Sequence, residues 1–342
     1  MVIPQLPLLF FTCTVGAEAA LKKELTQRRP SWRIAFSRPG FLSYKLPHKL
    51  PCDYRFDTVF GHSYGFALGK SAYADAAQNI LEALHTHGLD QQKVRLHCRE
   101  RAVHEIRESL NPMEPLAVSL ESQLRAEDRG SLFYANAEAK IGEVVVDVLV
   151  IDKDMVVYGL HYHHAGHSPY AGGKPPIVLP AEAPSRAWLK FEESILWHPR
   201  REHLDMVGRT VIEIGSAPGG TAYALQQRGA HVISIDPAGM DARVSVQHIR
   251  KSASAVQREE LPKSFEWLLI DINDNPGATL RLAAKFVGFS AKRPHLIVTL
   301  KTSDWALADN LPDYVKKLVR LGYPEVRARQ LYHGRREIVL MA

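Results

Sequence analysis

Cysteine is scarce: Cys13, Cys52 and Cys98 are the only three among 342 residues. They lack the paired spacing of a disulfide framework or a cysteine-based zinc site, so the chain reads as a protein of the reducing cytoplasm. Long apolar runs are missing too. No uninterrupted hydrophobic segment approaches the ~20 residues needed to span a bilayer, and no membrane partner is expected. Nor does a basic stretch precede the apolar start. Val2 to Phe11 contains Pro4 and Pro7 and reads as a tail leading into a first strand rather than a secretion signal. Internal repeats and low-complexity tracts are also absent. What remains, 46% hydrophobic and 23% charged, is the composition of a globular protein long enough for two or three domains. Lys and Arg outnumber Asp and Glu by 43 to 37, a net charge of +6 that suits a polyanionic partner without requiring one.

The first part of the chain mixes helices and strands. Ala17 to Thr26 sets Ala17, Leu21 and Leu25 on one helical face, and a second helix is expected over Ala74 to Leu84. Arg33 to Phe36 and Phe41 to Lys45 read as strands about the Arg38-Pro39-Gly40 turn. Lys93 to Arg99 alternates like a strand with one basic face. Glu143 to Ile151 and Val156 to Tyr162 form an expected hairpin around Asp152-Lys153-Asp154. From His161 to Pro184 the chain is rich in His, Gly and Pro and reads as a loop or linker. The expected organisation is therefore an α+β region over residues 1–160, a linker over 161–180 and an α/β domain over 181–342.

That second domain alternates strands with helices, which predicts a mostly parallel, Rossmann-like sheet. Its strands are expected at Val211–Ile214, His231–Ile235, Ser245–Ile249, Trp267–Ile270, His295–Leu300, Glu325–Ala328 and Glu337–Met341. The first of them empties into Gly215-Ser216-Ala217-Pro218-Gly219-Gly220, a turn where glycine lets a ligand approach the backbone. Asp236 closes the next strand, the position from which an acid binds ribose hydroxyls in doubly wound nucleotide folds. An ordinary tight turn explains a lone glycine cluster equally well, but strand, loop, helix, strand and acid in this order favour a ligand site. Asp271 and Lys301 follow two further strands, at the sheet edge where open α/β folds bind ligands. Lys190 lies on a helix beginning around Ser185, and Glu337 opens the last strand.

Taken together, the segment Pro180 to Lys190, the Ala217-Pro218-Gly219-Gly220 loop, Leu300-Lys301 and the run Ala328 to His333 leading to Arg336-Glu337 carry a family pattern. They resemble the FtsJ-like family of S-adenosylmethionine (SAM)-dependent RNA ribose 2′-O-methyltransferases, in particular its bacterial members that modify a cytidine of 23S rRNA. The resemblance covers the second half well and thins in the first, where those members have a THUMP-containing RNA-binding region. It implies a Lys-Asp-Lys-Glu tetrad of Lys190, Asp271, Lys301 and Glu337. It also implies a SAM site of Ser185, Gly215, Ser216, Ala217, Pro218, Gly219, Gly220, Asp236 and Asp271. Thr221 departs from a common tryptophan, and Ser252 stands where an acid often reads adenine, so adenine is expected to be read by backbone groups or by Ser252.

A ribose hydroxyl is a poor nucleophile and needs a general base, which lysine can be if burial and a neighbouring cation depress its pKa. Lys301 is expected in that role, with Lys190 positioning the hydroxyl and disfavouring charge on Lys301. Asp271 is expected to steady the ammonium near the methyl donor, and Glu337 to orient Lys190 or the ribose. Within the linker, His161, His163, His164 and His167 read as exposed or RNA-contacting, and no metal is expected; His333 is the better histidine for substrate contact. The basic positions Lys22, Lys23, Arg28, Arg29, Arg33, Lys93, Arg95, Arg99 and Arg101 are expected to face RNA, whereas Phe41, Tyr44 and Tyr134 read as core.

Three other functions share parts of this pattern. A nicotinamide-dependent oxidoreductase shares the glycine turn and the acid, but the loop is not G-x-G-x-x-G. A non-catalytic RNA-binding or assembly factor has no need of an intact tetrad. A base methyltransferase acting on exocyclic amines usually carries an Asn/Asp-Pro-Pro-aromatic motif where this chain reads Asp271-Ile272-Asn273-Asp274.

Overall fold

The computed structural model describes residues 3–103, 114–128, 132–134, 138–199, 205–302 and 305–342. The chain forms two compact units, Met1–Pro176 and Ile177–Ala342.

In the first unit, β1 (Gln5–Cys13), β2 (Arg33–Arg38), β3 (Phe41–Pro51), β4 (Gly61–Ser71), β5 (Arg95–Glu100), β6 (Val144–Asp152) and β7 (Met155–Tyr162) make one seven-stranded sheet in the order β2-β3-β1-β4-β7-β6-β5. All neighbours run antiparallel except β5 and β6. Helices α1 (Glu18–Arg28), α2 (Ala76–Thr86) and α3 (Pro115–Glu127) complete the unit. The helix α1 buries Leu21 and Leu25 as its periodicity predicts, and Phe41 and Tyr44 are core.

Two expectations for this unit give way. The region read as a linker over 161–180 largely belongs to the unit itself: β7 runs to Tyr162, and His161, His163, His164 and His167 are buried rather than exposed. The basic face of β5 is not a solvent face. Arg95 is buried with its guanidinium against Glu143, Nη2 lying 2.7 Å from Oε1, and Arg99 pairs with Glu114 at 2.7 Å. Acids distant in sequence claim these arginines, and local alternation cannot reveal such partners.

The second unit opens with α4 (Ala187–Trp197), continues through β8 (Thr210–Ile214), α5 (Gly220–Gln227), β9 (His231–Ile235), β10 (Gln247–Ile249), β11 (Trp267–Ile270), α6 (Pro276–Phe289), β12 (His295–Lys301) and α7 (Leu311–Arg320), and ends with β13 (Arg327–Arg329) and β14 (Glu337–Met341). Its seven strands lie in the order β10-β9-β8-β11-β12-β14-β13. The strands from β10 to β12 are mutually parallel, and β14 runs antiparallel to both its neighbours. Every residue of β11 is buried, as expected of a strand covered on both faces. Val211, Val232, Trp267, Leu269 and Ile297 share one core with Phe191 and Ile195 of α4 and Leu225 of α5. On α6, Asn275 caps the N-terminus by accepting a hydrogen bond from the Ala278 amide at 2.9 Å, and Pro276 sits where no amide hydrogen is needed.

Candidate active site

The order of strands reverses between β8 and β11, so a crevice opens at their carboxyl ends, where α/β sheets hold ligands. Gly215 leaves β8 at φ +79°, and a Cβ there would lie 2.3 Å from the Asp271 carbonyl oxygen. Only glycine lets these two strand ends come so close. Gly219 takes φ +114° at the start of α5. A Cβ on Gly220 would meet Ser185 Oγ at 2.3 Å, which brings Ser185 onto the glycine loop. The Ala217–Pro218 peptide is cis. Asp236 supports the loop directly, its Oδ2 accepting from the Ala217 amide at 3.1 Å and its Oδ1 from Ala238 at 2.8 Å.

The four charged residues of the expected tetrad meet at this edge. Register does much of the work: β12 and β14 pair Lys301 directly with Glu337, and Asp271 follows β11 beside them. Lys190 arrives from the first turn of α4. Lys301 Nζ lies 2.6 Å from Asp271 Oδ1 and 2.7 Å from Glu337 Oε2. Lys190 Nζ donates to Asp271 Oδ2 and stands 3.3 Å from Glu337 Oε1. The result is a ring of alternating charge in which each ammonium faces both carboxylates.

Electrostatics of the ring differ from expectation. Burial alone would draw the Lys301 pKa down, but Asp271 and Glu337 outweigh it and raise the value above that of an ordinary lysine. Burial likewise opposes ionisation of Asp271, yet Lys190 and Lys301 hold its carboxyl below the usual range. Lys301 is therefore a held ammonium, not the depressed lysine that the sequence led us to expect. The two carboxylates, rather than the neighbouring Lys190 ammonium, set the charge of Lys301.

A cavity of about 410 Å³ opens beside the ring, lined by Ala187, Gly215, Ser216, Ala217, Asp271, Asn273, Lys301, Arg335, Arg336 and Glu337. Ser216 Oγ is buried there without a hydrogen-bond partner among the described residues. A glycine cradle, an unspent hydroxyl and a carboxylate fit a small cationic, polar ligand of the SAM kind. Ser252 is exposed, with its Oγ 3.2 Å from Ser254 Oγ, and is not among the residues lining this cavity.

Two acids beneath the site escaped the sequence reading. Glu213 is buried inside β8, accepts from Ser234 Oγ at 2.9 Å, and is pushed up to about 8 by burial, with Asp271 and Asp236 adding to the effect. It lines a small cavity of about 30 Å³ together with Lys190, Thr221 and Asp271. Glu193 of α4 accepts from the amides of Tyr332 and His333 at 2.7 and 2.9 Å, and the Nδ1 of His333 lies 2.8 Å from it. This pair fixes the turn that delivers Glu337. His333 is thus buried in a supporting role, contrary to the substrate contact expected of it. The helical spacing from Lys190 to Glu193 was the available signal, but an acid on a buried face is visible only once the fold is known.

Numbered within its own domain, the sheet order is 3-2-1-4-5-7-6 with the seventh strand reversed; with the glycine loop after the first strand, this defines a Rossmann-like methyltransferase, a class that uses SAM as methyl donor. More particularly, the chain resembles ribosomal RNA large subunit methyltransferase M. It is 29% identical over 320 residues to the protein of that name from Marinobacter nauticus, covering 86% of this chain and 84% of the relative. The Sodalis glossinidius protein is 27% identical, covering 97% of this chain and 84% of the relative. The Alkalilimnicola ehrlichii protein reaches 31% over 56% of this chain and 54% of its own length. No protein-family model matches the chain. Among solved structures, TrmN from Thermus thermophilus aligns over 98% of both chains at 12% identity and a TM-score of 0.34. Magnesium protoporphyrin IX methyltransferase from Synechocystis, with bound SAM, aligns over 46% of this chain and 78% of its own at 11% identity and 0.34. At such distances the fold assignment rests on the strand order itself.

Proposed function

We propose that the protein transfers a methyl group from SAM to a ribose 2′-hydroxyl of RNA, a cytidine of 23S rRNA. The observation that carries this reading is the alternating ring of Lys190, Asp271, Lys301 and Glu337, three of whose members, Asp271, Lys301 and Glu337, line a cavity together with Gly215. The similarity to relatives named for the large ribosomal subunit supports RNA as the substrate.

When bound, the donor supplies an electrophilic methyl on a positively charged sulfur. The residues of the chain handle the other half of the reaction. Gly215, Ser216, Ala217, Pro218, Gly219, Gly220 and Ser185 hold the methionine end, and Asp236 binds the ribose of the donor. Adenine is read by backbone groups near Ser252. Lys190 positions the substrate hydroxyl, and Glu337 orients Lys190.

Lys301 accepts the hydroxyl proton, which requires that its ammonium first lose one to solvent water. The charge on a bound donor, held by the loop residues near Asp271, would weaken the carboxylate's hold on that ammonium and favour loss of its proton. Alignment of oxygen and methyl supplies much of the remaining acceleration.

Lys301→Ala is expected to lower the single-turnover rate by about 10²–10⁴-fold, the usual contribution of a general base, while SAM binding measured by calorimetry persists. Lys301→Arg, which cannot give up its proton, should behave the same way. Near-normal turnover in either variant overturns the assignment of the base. Absence of transfer by the unaltered protein would favour a non-catalytic RNA-binding factor.

A further inference from the structure

Among the described residues of the first unit, His62, His97, His161, His163, His164 and His167 are buried. Burial of so many imidazoles within one sheet and its flanking turn calls for a purpose beyond packing. His161 and His163 stand at the end of β7 and just beyond it. The turn closed by the His167 amide donating to the His164 carbonyl at 2.9 Å brings His167 back to them. The rings of His161 and His167 lie 3.8 Å apart between centroids, and each is 6.0 Å from that of His163.

One nitrogen from each of the three falls within 4.8 Å of the others. A tetrahedral zinc ion with bonds of about 2.0–2.1 Å separates its ligand nitrogens by about 3.4 Å, so a modest contraction forms the site. The support for His161 is already in place. Its Nδ1 lies 2.6 Å from Asp147 Oδ2, while its Nε2 is buried with no hydrogen-bond partner among the described residues. A carboxylate on one ring nitrogen, with the other nitrogen turned inward, is how proteins orient histidine toward a metal. His167 has its Nε2 3.0 Å from Ser63 Oγ and 3.1 Å from the Tyr64 amide nitrogen, which leaves Nδ1 on the side away from them. As a ligand through Nδ1 it carries its proton on Nε2 and donates it to Ser63, giving up the Tyr64 contact.

We propose that His161, His163 and His167 bind a divalent transition-metal ion of the zinc class, with Asp147 holding His161 in its ligating orientation. Imidazole donors suit this class. The three side chains are only 0%, 5% and 2% exposed, so the ion fastens the end of β7 to the turn that follows, with a water as the fourth ligand of the tetrahedron. The site is separate from the tetrad in both residues and chemistry.

Full-length protein stripped with EDTA and titrated with Zn²⁺ or Co²⁺ tests this. One ion should bind per chain, with cobalt giving the visible absorption bands of a tetrahedral site and zinc raising the unfolding temperature. His163→Ala should abolish the cobalt bands, and Asp147→Asn should weaken zinc binding by about 10–100-fold. Folded wild-type protein that takes up neither metal stoichiometrically refutes the site, a result that needs no variant to fold. Undiminished binding by a folded His161→Ala/His163→Ala protein refutes it equally.

Discussion

At the scale of single residues, the site is governed by which charges are held and which are suppressed. Glu213 is the clearest case, a carboxyl buried in β8 and pushed up to about 8 from an ordinary value of 4.5. Between those values the folded protein keeps a proton that the unfolded chain has lost, so stability falls as pH rises across that window. Glu213→Gln preserves the shape and removes the titration. Its unfolding midpoint should therefore gain on that of the wild type progressively from about pH 4.5 to 8; parallel curves across that range would exclude a buried, titrating Glu213. The two ring residues differ from each other in sign. The lowered pKa of Asp271 adds stability that is present above the normal carboxylate range and lost as pH falls through its folded value. The raised pKa of Lys301 adds stability that is present below the normal lysine range and lost as pH rises through its folded value. If Lys301 is the base, as proposed, methyl transfer needs it without its proton, and the single-turnover rate should climb with pH on the alkaline side.

Among elements, strand ends and the turns that leave them decide the geometry. A side chain at Gly215 must take a left-handed backbone and meet the Asp271 carbonyl oxygen at 2.3 Å. Gly215→Ala should thus cost about 1–3 kcal/mol of backbone strain, with a further loss as β8 and β11 part, and SAM affinity should fall with it. Denaturant unfolding and calorimetry check the two effects; wild-type values in both would contradict the close approach described. These strand ends were legible in the sequence because a short continuous apolar run bounded by glycine or a charged residue is a local signal. Asp271, Lys301 and Glu337 could be placed at one edge for that reason. The register that sets Glu337 opposite Lys301 is not local, nor are the 48 residues that separate Arg95 from its partner Glu143. The buried histidines were missed on the same ground. His, Gly and Pro in one stretch look like a surface loop until a sheet is known to cover them.

For the whole molecule, the excess of positive charge matters only where it remains on the surface. Arg33 and Lys93 are exposed, whereas Arg95 is buried in an ion pair. If exposed cations of the first unit contact RNA phosphates, Arg33→Ala and Lys93→Ala should each reduce the slope of log affinity against log salt by about 0.7–0.9. Arg95→Ala should instead lower stability, because Glu143 is left without its guanidinium partner. An unchanged salt slope in both surface variants would remove Arg33 and Lys93 from the RNA face.

The atom that receives the methyl group decides between a ribose and a base methyltransferase. Incubating the purified protein with isotopically labelled SAM and unmodified 23S rRNA, followed by nucleoside analysis by mass spectrometry, addresses it directly. The label is expected in 2′-O-methylcytidine. Label on a base, or none in RNA despite SAM binding, would contradict the ribose assignment.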